Sequence, residues 1–316
     1  MKLVVSSLDA LGMYVSREFY YVISALVRDH GWKQIDPYRL WGDAKPVGRA
    51  LLDVFGELPE AVLFWEAYDF LQARGREVYD LPCRKYIFAD DLHWWNEADR
   101  PARVVGYSLC EAVLSTYAYR FDDFYPEFCR TKPLVWVPHA ASPDFMLDFN
   151  RRPENAILLS GAVSPFYPLR QRMRRLYDRS AYAINLLEHP GYLRAYDYER
   201  DECVGRRYAR AIRRHRAAFT DSTKEHYVIA KFFEIPAAGA LLLADDAGGR
   251  LRELGFVAGE HYVRATAENL EERVRYVLDE RNRAQVDEIR RRGQKLVRAR
   301  HRTADRARLI DETCRG

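Results

Sequence analysis

Short apolar runs alternate with amphipathic stretches along almost the whole of this 316-residue chain, and near its middle the alternation starts afresh. That pattern leaves few folds open. Strands separated each time by a helix pair in parallel, because a tight hairpin cannot supply the crossover, and a parallel sheet needs helices on its faces. In the first half, strands are expected at residues 2–6, 61–65, 85–89, 112–116 and 134–137. A helix at 17–28 would carry Phe19, Tyr20, Ile23 and Leu26 on one side. A polar stretch, 144–155, then brings Asp148, Asn150, Arg151, Arg152 and Pro153 together and reads as a linker. Beyond it the pattern resumes, with strands at 156–160, 182–187, 217–220, 240–244 and 261–263. Helices are expected from Pro168 onward and over 201–214, 224–238 and 267–279, and the C-terminal stretch is helical and charged. The chain is therefore expected to form two α/β domains, 1–148 and 149–316, a division that fits its length.

Several classes fall away. No segment repeats at a short period, and no apolar run reaches the about 18 residues of a membrane helix. The N-terminus reads as a strand, not a secretory signal. Five cysteines (Cys83, Cys110, Cys129, Cys203 and Cys314) are widely spaced without a C-x-x-C, so neither a disulfide framework nor a zinc site is expected, and a reducing cytoplasm is the natural setting. Net charge is only +4. Its basic clusters, Arg290–Arg292 included, read as solvated helix faces, with a polyanion surface left open.

The most informative stretch runs from Lys231 to Asp245, where a helix meets Gly239 and passes into a buried strand. Glu234 sits in its apolar part. A carboxylate there needs a partner: the hydroxyls of a ribose would serve, and so would a surface pair with Lys231. Gly161 follows a strand end, and Arg170 falls in the first turn of the next helix. Free N–H groups, a positive helix end and a guanidinium suit a diphosphate, although Arg170 also reads as one surface arginine among several. Lys231 is a second cation. Ser222 and Thr223 could reach phosphate oxygens or cap a helix. His189 follows a strand end, as a base or sugar contact or as a turn-forming residue before Pro190. In the first half Asp90, Asp91 and His93 follow a strand, with Trp94 and Trp95 as a sugar-stacking platform. Asp91 and His93 lead as candidates for acid–base or hydroxyl contacts, against a helix cap over core tryptophans. His139, near the hinge, is a lone candidate. Asp197-Tyr198-Glu199 and Asp245-Asp246 only superficially resemble metal motifs.

These motifs carry a resemblance. Phe233–Ala240, Leu254-Gly255-Phe256 with Gly259-Glu260, the terminal helix with Gly293 and His301, Leu159-Ser160-Gly161 leading to Tyr167-Pro168-x-Arg170, and His189-Pro190-Gly191-Tyr192 together resemble the C-terminal domain of the glycosyltransferase group 1 superfamily. The branch they most resemble is that of the spore-maturation-protein-type glycosyltransferases, which Asp90–Trp94 and Trp136–Ala140 also resemble. The resemblance implies a GT-B fold, two facing Rossmann-like doubly wound domains with a cleft between them: an N-terminal acceptor domain and a C-terminal nucleotide-sugar domain. It implies transfer of a hexosyl or pentosyl group from a nucleoside diphosphate sugar to an acceptor hydroxyl, with no cofactor and no essential metal. Gly161, Arg170, His189, Ser222, Thr223, His226, Lys231 and Glu234 would bind the donor, and Asp91, His93 and His139 would serve catalysis. Glu234 matches the ribose-binding glutamate. At the position of a second glutamate often found in the superfamily stands His226, so sugar preference and stereochemical outcome do not carry over. The acceptor stays open between a glycan, a small molecule and modified nucleic acid. Two alternatives stand beside this reading: a non-catalytic nucleotide- or carbohydrate-binding protein of the same fold, and a transferase acting on modified DNA bases.

Overall fold

Eleven strands, every one paired in parallel, make two sheets among the residues that the computed structural model describes: 1–41, 45–93, 97–191 and 195–315. The first holds β1 (Lys2–Val5), β2 (Lys33–Ile35), β3 (Ala61–Trp65), β4 (Arg84–Ala89), β5 (Ala112–Ser115) and β6 (Leu134–Trp136), in the order β2-β1-β3-β4-β5-β6. The second holds β7 (Glu154–Ser160), β8 (Ile184–Leu187), β9 (His215–Phe219), β10 (Leu241–Ala244) and β11 (Val263–Arg264), in the order β11-β10-β9-β7-β8. Both are doubly wound with the same order: the second strand flanks the first on one side, and the third flanks it on the other. Central strands are buried on both faces. In the second sheet Ile157, Leu159, Phe219, Leu241 and Leu243 pack into one core cluster with Leu169, Met173 and Val274 from two helices. Leu158, Ala218 and Leu242, pointing the other way, are buried as well.

The chain divides into two units. One comprises Met1–Gly12, Tyr20–Pro138 and Arg306–Gly316, the other Met13–Phe19 and His139–Asp305. The stretch expected as a linker thus lies within the second unit. Asn150 ties it down: its Nδ2 donates to Arg213 O at 3.1 Å, and its carbonyl accepts from Arg290 at 3.0 Å. Arg290 also corrects its own reading as a solvated residue. It is buried and donates twice to the carbonyl of Gly239, while Arg291 and Arg292 do pair with Glu288 at the surface. The helix expected from residue 224 starts only at Lys231. Thr223 Oγ1 accepts the N–H groups of Glu225 and Tyr227, and His226 takes a left-handed φ of 56°, so a side chain closes a turn where a helix would otherwise begin. The resemblance motifs outside the strand ends serve packing. A Cβ on Gly293 would lie 2.6 Å from the His261 carbonyl, and His301 Nε2 meets the Leu254 carbonyl at 2.9 Å.

The final helix, Thr303–Thr313, runs from the second unit into the first. There Asp311, fully buried, pairs with Lys2 of β1, accepts from Trp32 Nε1 at 2.8 Å and from Arg315, and lies 3.3 Å from His30. Burial works against its charge, but the hydrogen bonds from Lys2, Trp32 and Arg315 win and hold the carboxyl down at about 2. All five cysteines are free thiols. Among the described residues no helix is long and apolar enough to cross a membrane.

A depressed carboxylate stabilises the fold above its unfolded pKa, and that stability is lost as pH falls through the folded value. Asp311→Asn should therefore lower the stability of the first unit by about 2 kcal/mol at pH 7. The deficit relative to wild type should shrink between about pH 4 and pH 2, read by urea unfolding at stepped pH.

Candidate functional site

A doubly wound sheet leaves a crevice beyond the carboxyl ends of its strands where the winding reverses, because the chains on either side depart in opposite directions. In the second sheet that point lies between β7 and β9. Strand β7 ends at Ser160, and Gly161 follows with φ +95°, a left-handed conformation that favours glycine. Space demands glycine too. A Cβ here would lie 2.9 Å from Arg170 Nη1 and 3.0 Å from Lys231 Cε, so both cationic side chains close on this turn.

The two cations differ in what they do. Arg170 is 1% exposed. Its guanidinium donates to the Ala162 carbonyl and Thr220 Oγ1, pairs with Asp221 at 3.1 Å and lies over the Tyr167 ring. The backbone N–H of Arg170 also donates to Asp221, at 2.8 Å. The expectation of an open helix end with an exposed arginine is thus corrected: Asp221, following β9, already caps that helix, and Arg170 braces the glycine turn. Burial pushes the Asp221 carboxyl up to about 6, against the pull of Arg170. Lys231, half-buried at the start of the helix Lys231–Ala237, donates to Tyr208 Oη at 2.7 Å, and that oxygen meets Ser160 Oγ at 2.7 Å.

Glu234 lies one turn along the same helix and is 6% exposed. The surface pair with Lys231 does not form, since the lysine reaches Tyr208 instead. Among the described residues the Glu234 carboxylate has neither a hydrogen-bond nor an ion-pair partner. Burial pushes it up to about 7; Lys231 and His139 oppose the rise, and Glu18 and Asp144 add to it. His189 is half-buried, and its Nδ1 accepts the Gly191 N–H at 3.0 Å, which places the ring proton on Nε2. Burial, with the charges of Lys231 and Arg170, pushes it down to about 4, so near neutral pH the ring is an uncharged N–H donor. His139 is buried, stacked on Phe19, and joined through Nδ1 to Glu18 at 2.7 Å. Glu18 also accepts the Ala140 N–H.

The structure thus gathers Gly161, Arg170, His189, Lys231, Glu234 and His139 around one strand-end region of the second unit. Ser222, Thr223 and His226 lie one strand further along. Ser222 donates both its N–H and its hydroxyl to Asp245, Thr223 closes the turn described above, and His226 is exposed beside Gly248. Asp91 and His93 belong to the first unit, 4.0 Å apart. Trp94 and Trp95, and Tyr192 of the motif after His189, lie outside the described residues. Glu18, Tyr208 and Asp221 were not foreseen. Tyr208 is hidden among five arginines of its helix, and Glu18 enters through a short N-terminal segment, residues 13–19, that only the folded chain joins to the second unit.

Two parallel sheets of this order, with such a strand-end region, make a GT-B fold, the fold of solved glycosyltransferases. Residues 166–312, just under half of the chain, match the glycosyl transferase-like family. Solved structures agree in fold across the full length. An alpha-glucosyltransferase in complex with UDP and a 13-mer DNA has a TM-score of 0.68 at 9% identity, covering 100% of this chain and 99% of that one. Sucrose-phosphate synthase from Thermosynechococcus elongatus has a TM-score of 0.61 at 10% identity, covering 99% and 98%. HepE from Anabaena, in complex with UDP and glucose, has a TM-score of 0.59 at 10% identity, covering 99% of each chain. No curated protein matches the chain by sequence.

A raised carboxyl pKa carries the opposite sign to that of Asp311. The unfolded chain ionises Glu234 first, so folding stability falls as pH rises from about 4.5 to about 7 and stays lower above. Glu234→Gln should stabilise the ligand-free protein by roughly 3 kcal/mol at pH 8 and change little at pH 4.5, measured as the shift in thermal midpoint.

Proposed function

We propose that the second unit binds a nucleoside diphosphate sugar, with UDP as the nucleotide, and that Glu234 accepts hydrogen bonds from the ribose hydroxyls. The observation that carries this reading is a nearly buried carboxylate with no hydrogen-bond or ion-pair partner among the described residues. Such a group is costly to keep unless a ligand supplies donors. Lys231 and the uncharged Nε2–H of His189 are placed to meet the diphosphate as negative charge develops on it, and the bare backbone of Gly161 lets the phosphates come close. Arg170 acts from behind, holding that turn against Asp221. His139, oriented by Glu18, faces the donor sugar, while Asp91 and His93 serve the acceptor hydroxyl in the first unit. The sugar leaves the diphosphate oxygen for the acceptor oxygen, and the acceptor proton passes to a base. This reading uses no divalent ion and places the protein in the cytoplasm. The ordered motifs from Leu159 to His301 support the narrower spore-maturation-protein-type branch.

UDP should raise the thermal midpoint by mass action, and a panel of UDP-sugars should identify a donor that is slowly hydrolysed even without acceptor. Glu234→Ala should weaken UDP about tenfold or more. UDP binding without turnover of any donor would make the chain a binding protein and not an enzyme. Treatment with EDTA should leave the rate unchanged; a rate restored only by added Mg2+ or Mn2+ would overturn the metal-free reading.

The pH dependence follows from Glu234. A hydroxyl donates best to the ionised carboxylate, so affinity for a UDP-sugar, which has no proton of its own to lose in this range, should rise from pH 6 to pH 8 and then level off. In Glu234→Gln, titration calorimetry should find weaker and pH-independent binding.

A further inference from the structure

The first sheet reverses its winding between β1 and β3, so by the rule that places the candidate site of the second unit, a crevice is due there too. One is present. A cavity of about 150 Å³ opens beside Ser7, which follows β1, and Glu66, which follows β3, with Tyr38, Trp41, Tyr68 and Asp69 among its lining residues. That is well below the about 300–1,000 Å³ of a site for a drug-sized molecule and suits a single small ring. Tyr38 and Trp41, from one short helix, lie nearly parallel at 6.3 Å between centroids and are 71% and 41% exposed. Two large aromatic side chains are thus left partly in water on the cavity rim.

Glu66 supplies the polar side. It takes a φ of 48°, uncommon for a residue with a side chain. Its N–H is held by the Phe88 carbonyl, and one carboxylate oxygen accepts the Asp90 N–H at 3.3 Å. The other oxygen has no hydrogen-bond partner among the described residues. Burial raises this carboxyl to about 7, with Arg103 pulling it down and Asp91 pushing it up, so the group lies within the electrostatic reach of the acceptor-side residue Asp91.

We propose that this crevice binds a sugar ring of the acceptor, the apolar face of the ring lying on Tyr38 and Trp41 and one of its hydroxyls donating to Glu66. A pyranose has both surfaces required, a C–H face that packs on an aromatic ring and an equatorial belt of hydroxyls for a carboxylate. The acceptor is then a carbohydrate, not a nucleic acid. This proposal rests on the glycosyltransferase reading and names its acceptor class.

The test uses the full chain and free methyl pyranosides of glucose, galactose, mannose and N-acetylglucosamine, with binding read by saturation-transfer NMR and UDP binding read in parallel by thermal shift. At least one glycoside should bind. Trp41→Ala and Glu66→Gln should each weaken it about five- to tenfold while the UDP shift stays unchanged. A protein that binds UDP but none of the glycosides, or binds them equally well in both variants, overturns the proposal and leaves the donor reading intact. Loss of both UDP and glycoside binding in the wild-type chain overturns the two together. A short single-stranded DNA that binds in place of the glycosides and is lost in Trp41→Ala assigns the crevice to a nucleobase and also overturns the proposal.

Discussion

Parallel strands all present their carboxyl ends to the same edge of a sheet, and winding the chain both ways from a central strand leaves one gap in that edge which no crossover covers. Nearly everything functional in this molecule follows from that constraint. Both sheets have the same strand order, and in each the residues just past the first and third strands carry the polar chemistry: Ser160, Gly161, Thr220 and Asp221 in the second unit, Ser7 and Glu66 in the first. The cores below are apolar and interchangeable by comparison. What differs between the two gaps is the chemistry placed at each, Arg170 and Lys231 beside Asp221 and Glu234 in the second unit, Glu66 with aromatic side chains in the first.

Within the second unit the expensive element is desolvation. Glu234 and His189 are both moved away from their usual ionisation by burial, in opposite directions, and both end in forms suited to a polar ligand near neutral pH. Lys231 relieves Glu234 only in part, because its ammonium is held by Tyr208, whose hydroxyl is bonded in turn to Ser160. Arg170 is the counter-example. Buried, with its two terminal nitrogens held by Ala162, Thr220 and Asp221, it shapes the turn and leaves the lysine as the more accessible cation.

Most of the fold was legible because strand burial on both faces writes a recognisable apolar run. Ten of the eleven strands lie where the alternation predicts them, and β2 is missed since Lys33-Gln34-Ile35, at a sheet edge, needs only one buried side chain. Helices fared less well wherever a side chain rewired the backbone, as Thr223 does. Legibility of the strand-end region was partial for a different reason. Glu234, Gly161, Lys231 and His189 could be picked out from their neighbours in sequence, but whether an arginine points outward or is paired inward depends on a residue about fifty positions away, Asp221. Spacing along the chain holds no record of that pairing, nor of Glu18 meeting His139 across 121 residues.

The clasp made by Asp311 bears on how the polypeptide matures. Its partners, Lys2, His30 and Trp32, are made before residues 139–305 of the second unit, and Asp311 after them. Until then the lysine at the start of β1 lacks the Asp311 carboxylate, and the whole of the second unit is synthesised while the first is still incomplete. The intervening unit is a continuous insertion apart from residues 13–19, and the first unit is closed only by the segment that follows it, Arg306–Gly316.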